Sequence, residues 1–246
     1  MQSLSATSNS FDPSSSSILT PGARDSLAPV PTVATATVQT LKLKEGEFVF
    51  SEGDVPKGIY QLKAGVIKIV TQRPLTRGRA SSPEFINKLV SPGEFFGFKA
   101  LLQGNPYSFY AKTLKPSEIL IYSPESLDLN SPSNPIARAV LLQMARDLET
   151  HEQTAQLHYL ASVQERIAFQ LALLAEKFGL PTPEGLSINL RLTRNELAQL
   201  AGTINESLSR HLTELKMENI IEVHGKEIVV KNLPKLKELS GNFKSL

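Results

Sequence analysis

The stretch from Leu192 to Leu215, LTRNELAQLAGTINESLSRHLTEL, constrains this chain most, because it sets two short apolar-faced helices around one glycine. Thr193 and Glu196 have capping-box spacing: the Thr oxygen takes a first-turn amide and the Glu reaches back to the cap. Leu197, Leu200 and Ala201 give the first helix one apolar face. Gly202 supplies the turn, where a positive φ costs glycine least. A second helix is predicted from Asn205 to Lys216, with Leu208, Leu212 and Leu215 on its buried side. Asn205, Glu206, Ser209 and Arg210 then stand on its exposed N-terminal half, the part a recognition helix puts into a major groove. The following segment, Ile220–Val230, alternates around His224-Gly225 as a hairpin does, which is the pattern of a wing. An ordinary helical hairpin is the plainer alternative, and the wing counts against it.

Bulk properties narrow the class without settling it. The chain has 246 residues, 41% hydrophobic and 20% charged, as a globular protein of one large or two modest domains would. It contains no apolar run of membrane-spanning length and no secretory layout at its start, so a cytoplasmic protein without a membrane partner is expected. With no cysteine, disulfides, thiolate metal sites and iron–sulfur clusters are excluded. The net charge is only +2, so a nucleic-acid reading rests on the helix-turn-helix pattern. Phosphate contacts would come from local placement of Thr193, Arg194, Arg191 and Lys226.

The composition changes three times along the chain. Residues 1–36 are rich in Ser, Thr, Pro and Ala and read as a disordered tail. From 37 to 133, short alternating segments punctuated by Gly and Pro suggest a barrel, roll or sandwich. The candidate strands are Val38–Leu43, Phe48–Phe50, Ile59–Leu62, Val66–Val70, Phe85–Val90, Phe109–Thr113 and Ile119–Tyr122, with a turn at Ala64-Gly65 among others and an exposed tip at Arg73–Pro83. A long helix covers 134–160. Along it Leu141, Met144, Leu148, His151, Ala155 and His158 recur at threes and fours, a coiled-coil seam that points to a homodimer. Residues 161–246 hold an amphipathic helix, Val163–Phe178, closed by Gly179 and Pro181, then a strand at Leu186–Leu192 and the winged helix-turn-helix.

A roll, a long dimerising helix and a C-terminal winged helix in this order resemble the Crp/Fnr superfamily of transcription regulators. In the roll the resemblance is carried by LKEGEFVFSEGD (43–54), Ile59-Tyr60, Gly65-Val66-Ile67-Lys68 and PGEFFG (92–97), and at the end by the helix-turn-helix. It implies an α+β fold: a double-stranded β-helix, jelly-roll-like in its path, then the long helix and the winged domain. It also implies double-stranded DNA as partner. Glu206, Ser209 and Arg210 match the Glu-x-x-Ser-Arg pattern of the Fnr-like branch, whose recognition helix reads TTGA-type half-sites. A carboxylate can accept from the cytosine amino group, Arg can fork onto guanine, and Ser fits beside a thymine methyl. The catabolite-activator branch carries a further Arg where Asn205 stands. Thr193 and Arg194 match positions that grip the DNA backbone. The exposed loop at Lys177–Gly185 lies where family activators touch RNA polymerase. For Glu206 and Arg210 the plainer roles are helix-end electrostatics and an i,i+4 surface pair.

The same resemblance marks an effector-pocket candidate in Gly97, Phe98, Lys99, Ala100, Tyr107 and Ser108, with His151 and Glu152 from the long helix. Cyclic-nucleotide binders of the family have a ribose-binding Glu where Phe98 stands, and an Arg-Ser pair where Tyr107-Ser108 stands. A phosphate there would lack its bidentate guanidinium. These departures argue against cyclic AMP or cyclic GMP, and leave an unknown small-molecule effector or none. A haem sensor would need an axial ligand in the roll, but the histidines are His151, His158, His211 and His224. The segment FGFKALLQGN (96–105) resembles the nitrogen-regulator branch that senses 2-oxoglutarate. Ser108 and Asp147, however, replace that branch's arginines. No cofactor is therefore expected. Nor is an enzyme, since no Ser-His-acid, metal-ligand or phosphate-loop constellation occurs. The remaining alternative is a dimeric ligand-binding or protein-interaction module whose winged helix does not read DNA.

Overall fold

The structure is a computed structural model that describes residues 38–72, 84–128, 131 and 133–241. The expected tail at 1–36 and the tip at 73–83 lie outside the described residues. The N-terminal part is a six-stranded antiparallel sheet folded over on itself. Its spine is β3 (Ile59–Gln72) paired with β6 (Tyr110–Tyr122). β1 (Val38–Leu43) and β2 (Phe48–Phe50) pair with β6, while β4 (Glu84–Val90) and β5 (Phe95–Phe96) pair with β3. A short helix, α1 (Phe98–Gln103), follows β5.

Two expected breaks are in fact bulges. Ile59–Leu62 and Val66–Val70 belong to one strand, and so do Ile119–Tyr122 and most of Phe109–Thr113. The register between β3 and β6 slips twice between Leu62 and Val66, and Pro116 falls at the same irregularity. A proline is tolerated there because a bulge leaves its position without a ladder partner. Gly65 (φ +101) lets the backbones approach, since a Cβ on it would lie 2.6 Å from the Pro116 carbonyl oxygen.

The long helix α2 (Pro135–Leu160) starts on Asn134, whose side chain accepts from the amides of Ile136 and Ala137. Proline at its first position suits a helix start, where the missing N–H would have no partner. α3 (Val163–Phe178) opens on a Ser162–Glu165 capping box. It closes on Gly179 in an extended conformation (φ −67) and not a left-handed cap. Glycine is required for another reason: a Cβ would collide with the Ala175 carbonyl. Where one strand at Leu186–Leu192 was expected, there is a hairpin of β7 (Leu180–Thr182) and β8 (Gly185–Ile188), followed by coil. The helix-turn-helix is α4 (Arg194–Leu200) and α5 (Asn205–Met217), and the wing is β9 (Ile221–His224) and β10 (Glu227–Val230). A last helix, α6 (Leu233–Leu239), not expected from sequence, packs on α3. Among the described residues no helix is long and apolar enough to cross a membrane.

One apolar cluster runs from the roll into the winged domain, joining Val66, Val70, Ile86, Leu89 and Tyr110 to residues such as Leu197 and Leu212. A half-buried ion pair borders it: the Lys68 ammonium donates to Glu196 Oε1 at 2.5 Å, both side chains being less than one-fifth exposed. Lys88 adds a tie to Asp147 on α2 at 2.5 Å, and Gln143 donates to the same carboxylate. Burial alone would raise the Glu196 pKa, but the hydrogen bonds from Lys68 and Thr193 outweigh it and hold the group below its usual range. A depressed carboxyl stabilises the fold above its unfolded pKa, and that contribution is lost as pH falls through the folded value. Lys68→Met is therefore expected to cost about 1–2 kcal/mol at pH 7, below the figure for a fully buried pair because water still reaches both groups. Urea unfolding monitored from pH 7 down to pH 3 should show the difference from wild type shrinking once Glu196 protonates.

Candidate nucleic-acid interface

The helix-turn-helix is built as its sequence implies. The Glu196 amide donates to Thr193 Oγ1 at 3.2 Å, and Glu196 Oε2 accepts from the Thr193 amide at 2.8 Å and from its hydroxyl at 2.9 Å. The box thus satisfies one of the amides left open at the helix start together with the amide of the cap itself. Gly202 (φ +59) makes the turn, with its amide on Gln199 O and the Thr203 amide on Ala198 O. Leu208, Leu212 and Leu215 seat α5 in the core. His211 is buried beside them, its Nδ1 2.7 Å from the Ser207 carbonyl.

That seating leaves Asn205, Glu206, Ser209 and Arg210 together on the exposed side of α5. Thr213 extends the row and is missed by sequence reasoning, although it stands four residues after Ser209. Arg210 lies 4.0 Å from Glu214, both well exposed. A contact of that length and exposure contributes little and leaves the guanidinium available. Asn205 donates to Asn195, bracing the start of α5 against α4. Thr193 is exposed and Arg194 half-buried at the start of α4. Arg194 Nη2 donates to Gly225 O at the wing tip at 3.2 Å, so a side chain expected to contact the DNA backbone also holds the wing. Lys226 follows at that tip. Arg191 stands apart, 3.7 Å from Glu45 of the roll.

Arg166 carries no motif in the sequence, yet it fastens the turn. Its Nε donates to Ala201 O, Nη2 to Gly202 O, and Nη1 to Ala161 O at the junction of α2 and α3. The His158 ring lies over Gly202, where a Cβ would fall 2.5 Å from Nε2. Burial and the neighbouring Arg166 charge push the His158 pKa down.

The structure places the residues expected to form an effector pocket in different surroundings. Phe98 is buried beneath α2 with Ile59, Phe95, Tyr122, Ile136 and Val140. Lys99 and Ser108 are exposed on the roll, and His151 and Glu152 are exposed on α2. Gly97 is buried at the left-handed start of α1 (φ +78), and Ala100 is buried one turn on. Tyr107 fills the roll interior, stacked on Phe50 with ring centroids 3.7 Å apart. Tyr60, Phe96 and Phe109 complete the aromatic cluster around it. Burial pushes the Tyr107 phenol far up, with Tyr60 and Asp54 adding to the shift, so it is neutral at all ordinary pH. Among the described residues one group has metal-ligand spacing: Glu184, Glu222 and His224, with ligand atoms within 4.8 Å of one another. The Lys231 ammonium, 2.7 Å from Glu222, already supplies a cation there.

Two family models match the chain, a cyclic nucleotide-binding domain over residues 40–128 and a Crp-like helix-turn-helix domain over residues 165–239. The chain is similar to the global nitrogen regulator of Synechococcus elongatus, 26% identical over 199 residues, covering 79% of this chain and 86% of that protein. It is also similar to the CRP-like cAMP-activated global transcriptional regulator of Mycobacterium tuberculosis, 26% identical over 204 residues, covering 82% and 88%. A CRP/FNR-family transcriptional regulator from Thermus thermophilus shares the fold, with a TM-score of 0.66 at 23% identity over 84% of this chain and all of that one.

The clash at Gly202 separates two costs of substitution. Gly202→Ala forces alanine into a left-handed conformation and also displaces His158, whereas Gly225→Ala (φ +62, nothing within 4 Å) strains only the backbone. The first should cost about 1–3 kcal/mol and the second less, as read by chemical denaturation of the two variants side by side.

Proposed function

The chain belongs to the Crp/Fnr superfamily of transcription regulators, and from that premise we propose that it is a homodimer that reads a palindromic operator with TTGA-like halves. The exposed row Glu206, Ser209 and Arg210 carries the reading. Glu206 accepts from a cytosine amino group, Arg210 forks onto guanine O6 and N7, and Ser209 lies beside a thymine methyl. Thr193 and Arg194 grip phosphates and set the register.

The dimer is supported by the apolar stripe on α2, where Leu141, Met144 and Leu148 are 56%, 41% and 60% exposed in the single chain. A helix keeps such a stripe in water only when a partner covers it. Two copies of α5 would then enter successive major grooves about one helical turn apart. Cyclic nucleotide is not the effector in this reading. The Tyr107 ring on Phe50 occupies the roll interior, and no arginine stands among the described residues of the roll. Nor are haem and iron–sulfur clusters part of this reading, since the roll has no His for a haem axial ligand and no Cys for a cluster. The β7–β8 hairpin is the surface offered to RNA polymerase.

Selection of bound sequences from random duplex DNA by the purified protein, without added ligand, tests the proposal. Enrichment of a palindrome with TTGA-like halves is expected. No enrichment would mean either that an effector is required or that the winged helix is a protein-binding module, and a metabolite screen by thermal shift separates the two. Arg210→Ala should abolish discrimination at the guanine position, at a cost of about 1–3 kcal/mol per base pair read. Unchanged discrimination would remove Arg210 from the reading. Millimolar cyclic AMP should leave the melting temperature unchanged, and a rise of several degrees would reinstate the nucleotide.

A further inference from the structure

The outer face of the winged sheet brings two carboxylates and an imidazole together. Glu222 and His224 stand two residues apart on β9 and so project from the same face, while Ile221 is buried on the other. Glu184 reaches them from the turn between β7 and β8. That turn lies tight against β10, since a Cβ on Gly185 (φ +142) would fall 2.2 Å from the Val230 carbonyl oxygen. One ligand atom from each residue, a carboxylate oxygen of Glu184 and of Glu222 and a ring nitrogen of His224, lies within 4.8 Å of the other two. His224 Nε2 and Glu222 Oε1 are 3.5 Å apart, close to the edge of a tetrahedron built on metal bonds of about 2.1 Å. We propose that Glu184, Glu222 and His224 bind a divalent transition-metal ion of the zinc type, with water completing its coordination.

Lys231 is the competitor that sets the affinity. Its ammonium donates to Glu222 Oε2 at 2.7 Å and to Asn219 Oδ1 at 3.2 Å. It therefore engages one carboxylate oxygen and leaves Oε1, the one nearer His224, to a metal. The same hydrogen bond holds the Glu222 carboxyl below its usual range, with Lys216 adding to the effect, so this ligand is ionised before any ion arrives. Two ammonium groups also offset the two carboxylates, and an ion gains chiefly from bonding to its ligands. That favours a borderline ion that takes imidazole over calcium or magnesium, which prefer a full set of oxygens. A bound ion would join the β7–β8 turn to the wing across β10. The wing tip also holds Arg194 through Gly225 O, so in the DNA reading proposed above the ion would stiffen the part that grips the backbone. Binding itself does not depend on that reading.

Zinc chloride titrated calorimetrically into the chelator-treated full-length protein, without DNA, tests the site, so that its failure and the failure of DNA reading are separate results. Three ligands, two of them exposed, and a competing ammonium fit a dissociation constant on the order of 10 μM, far weaker than a structural zinc site. His224→Gln and Glu184→Gln should each weaken binding at least about tenfold. Lys231→Met, which removes the competing charge, should tighten it severalfold, an effect that a nonspecific surface ion would not show. Cobalt in place of zinc should give visible absorption that His224→Gln abolishes. The far-ultraviolet dichroism and melting temperature of each variant show that it is folded. No heat from zinc up to about 1 mM, magnesium binding as tightly as zinc, or unchanged zinc affinity in folded His224→Gln and Glu184→Gln would each overturn the proposal.

Discussion

The geometry of the DNA-facing end depends on one guanidinium. Arg166 reaches from the first turn of α3 to carbonyls at the end of α2 and in the turn between α4 and α5. A planar fork with donors in fixed directions holds three acceptors in one arrangement, which an ammonium on a flexible stem does not. All three acceptors are backbone oxygens. Their positions therefore follow the chain path itself, and the turn that sets the angle between the two helices is tied to the helix that carries the apolar seam. Gly202 completes the joint by leaving room for the His158 ring. Orientation of the recognition helix thus follows from packing two elements away from its exposed face.

The roll follows a different principle. Its interior is an aromatic cluster, in which Tyr107 is 2% exposed and stacked on Phe50. Stacked aromatics bury much area in few rotatable bonds and pack like a crystal, so the space they occupy is not open to a ligand without displacing a ring. Phe98 leaves the interior altogether and anchors the start of α2. Its burial against Ile136 and Val140 fixes the long helix on the roll.

Much of this was legible in the chain, and what was not has identifiable causes. Helices α2 to α5 were legible, and the ends of two carry their own chemistry: Thr193 with Glu196 at α4, Asn134 and Pro135 at α2; the short α1 and α6 were not expected. Strand identity was legible, but continuity was not. A bulge leaves the same Gly and Pro signals as a turn, and only cross-strand pairing at Ala64–Val66 distinguishes them. That Glu206, Ser209 and Arg210 share an exposed face was legible because helical period fixes which side chains lie together. The grip of Arg166 was invisible because its partners are backbone carbonyls, which the residue letters do not encode. The surroundings of the effector candidates were illegible for a related reason. Resemblance aligned Phe98 and Tyr107 with pocket positions, but apolar rings at those positions go where burial takes them.

Glu196 shows how a domain can be tied to its neighbour without surrendering its own structure. Its two oxygens divide the work. Oε2 accepts from the Thr193 amide and hydroxyl and closes the start of α4, while Oε1 accepts from Lys68 of the roll. Separation from the roll would break only the second contact. The cap would remain, and the freed oxygen would regain water, so α4 loses a partner and keeps its first turn. The apolar face around Leu197 is the larger obstacle, because detachment exposes it together with Tyr110 and Val70. Movement of the winged domain is therefore opposed chiefly by hydrophobic area. The ion pair fixes where that area docks, since a half-buried charge tolerates misplacement less than a leucine does.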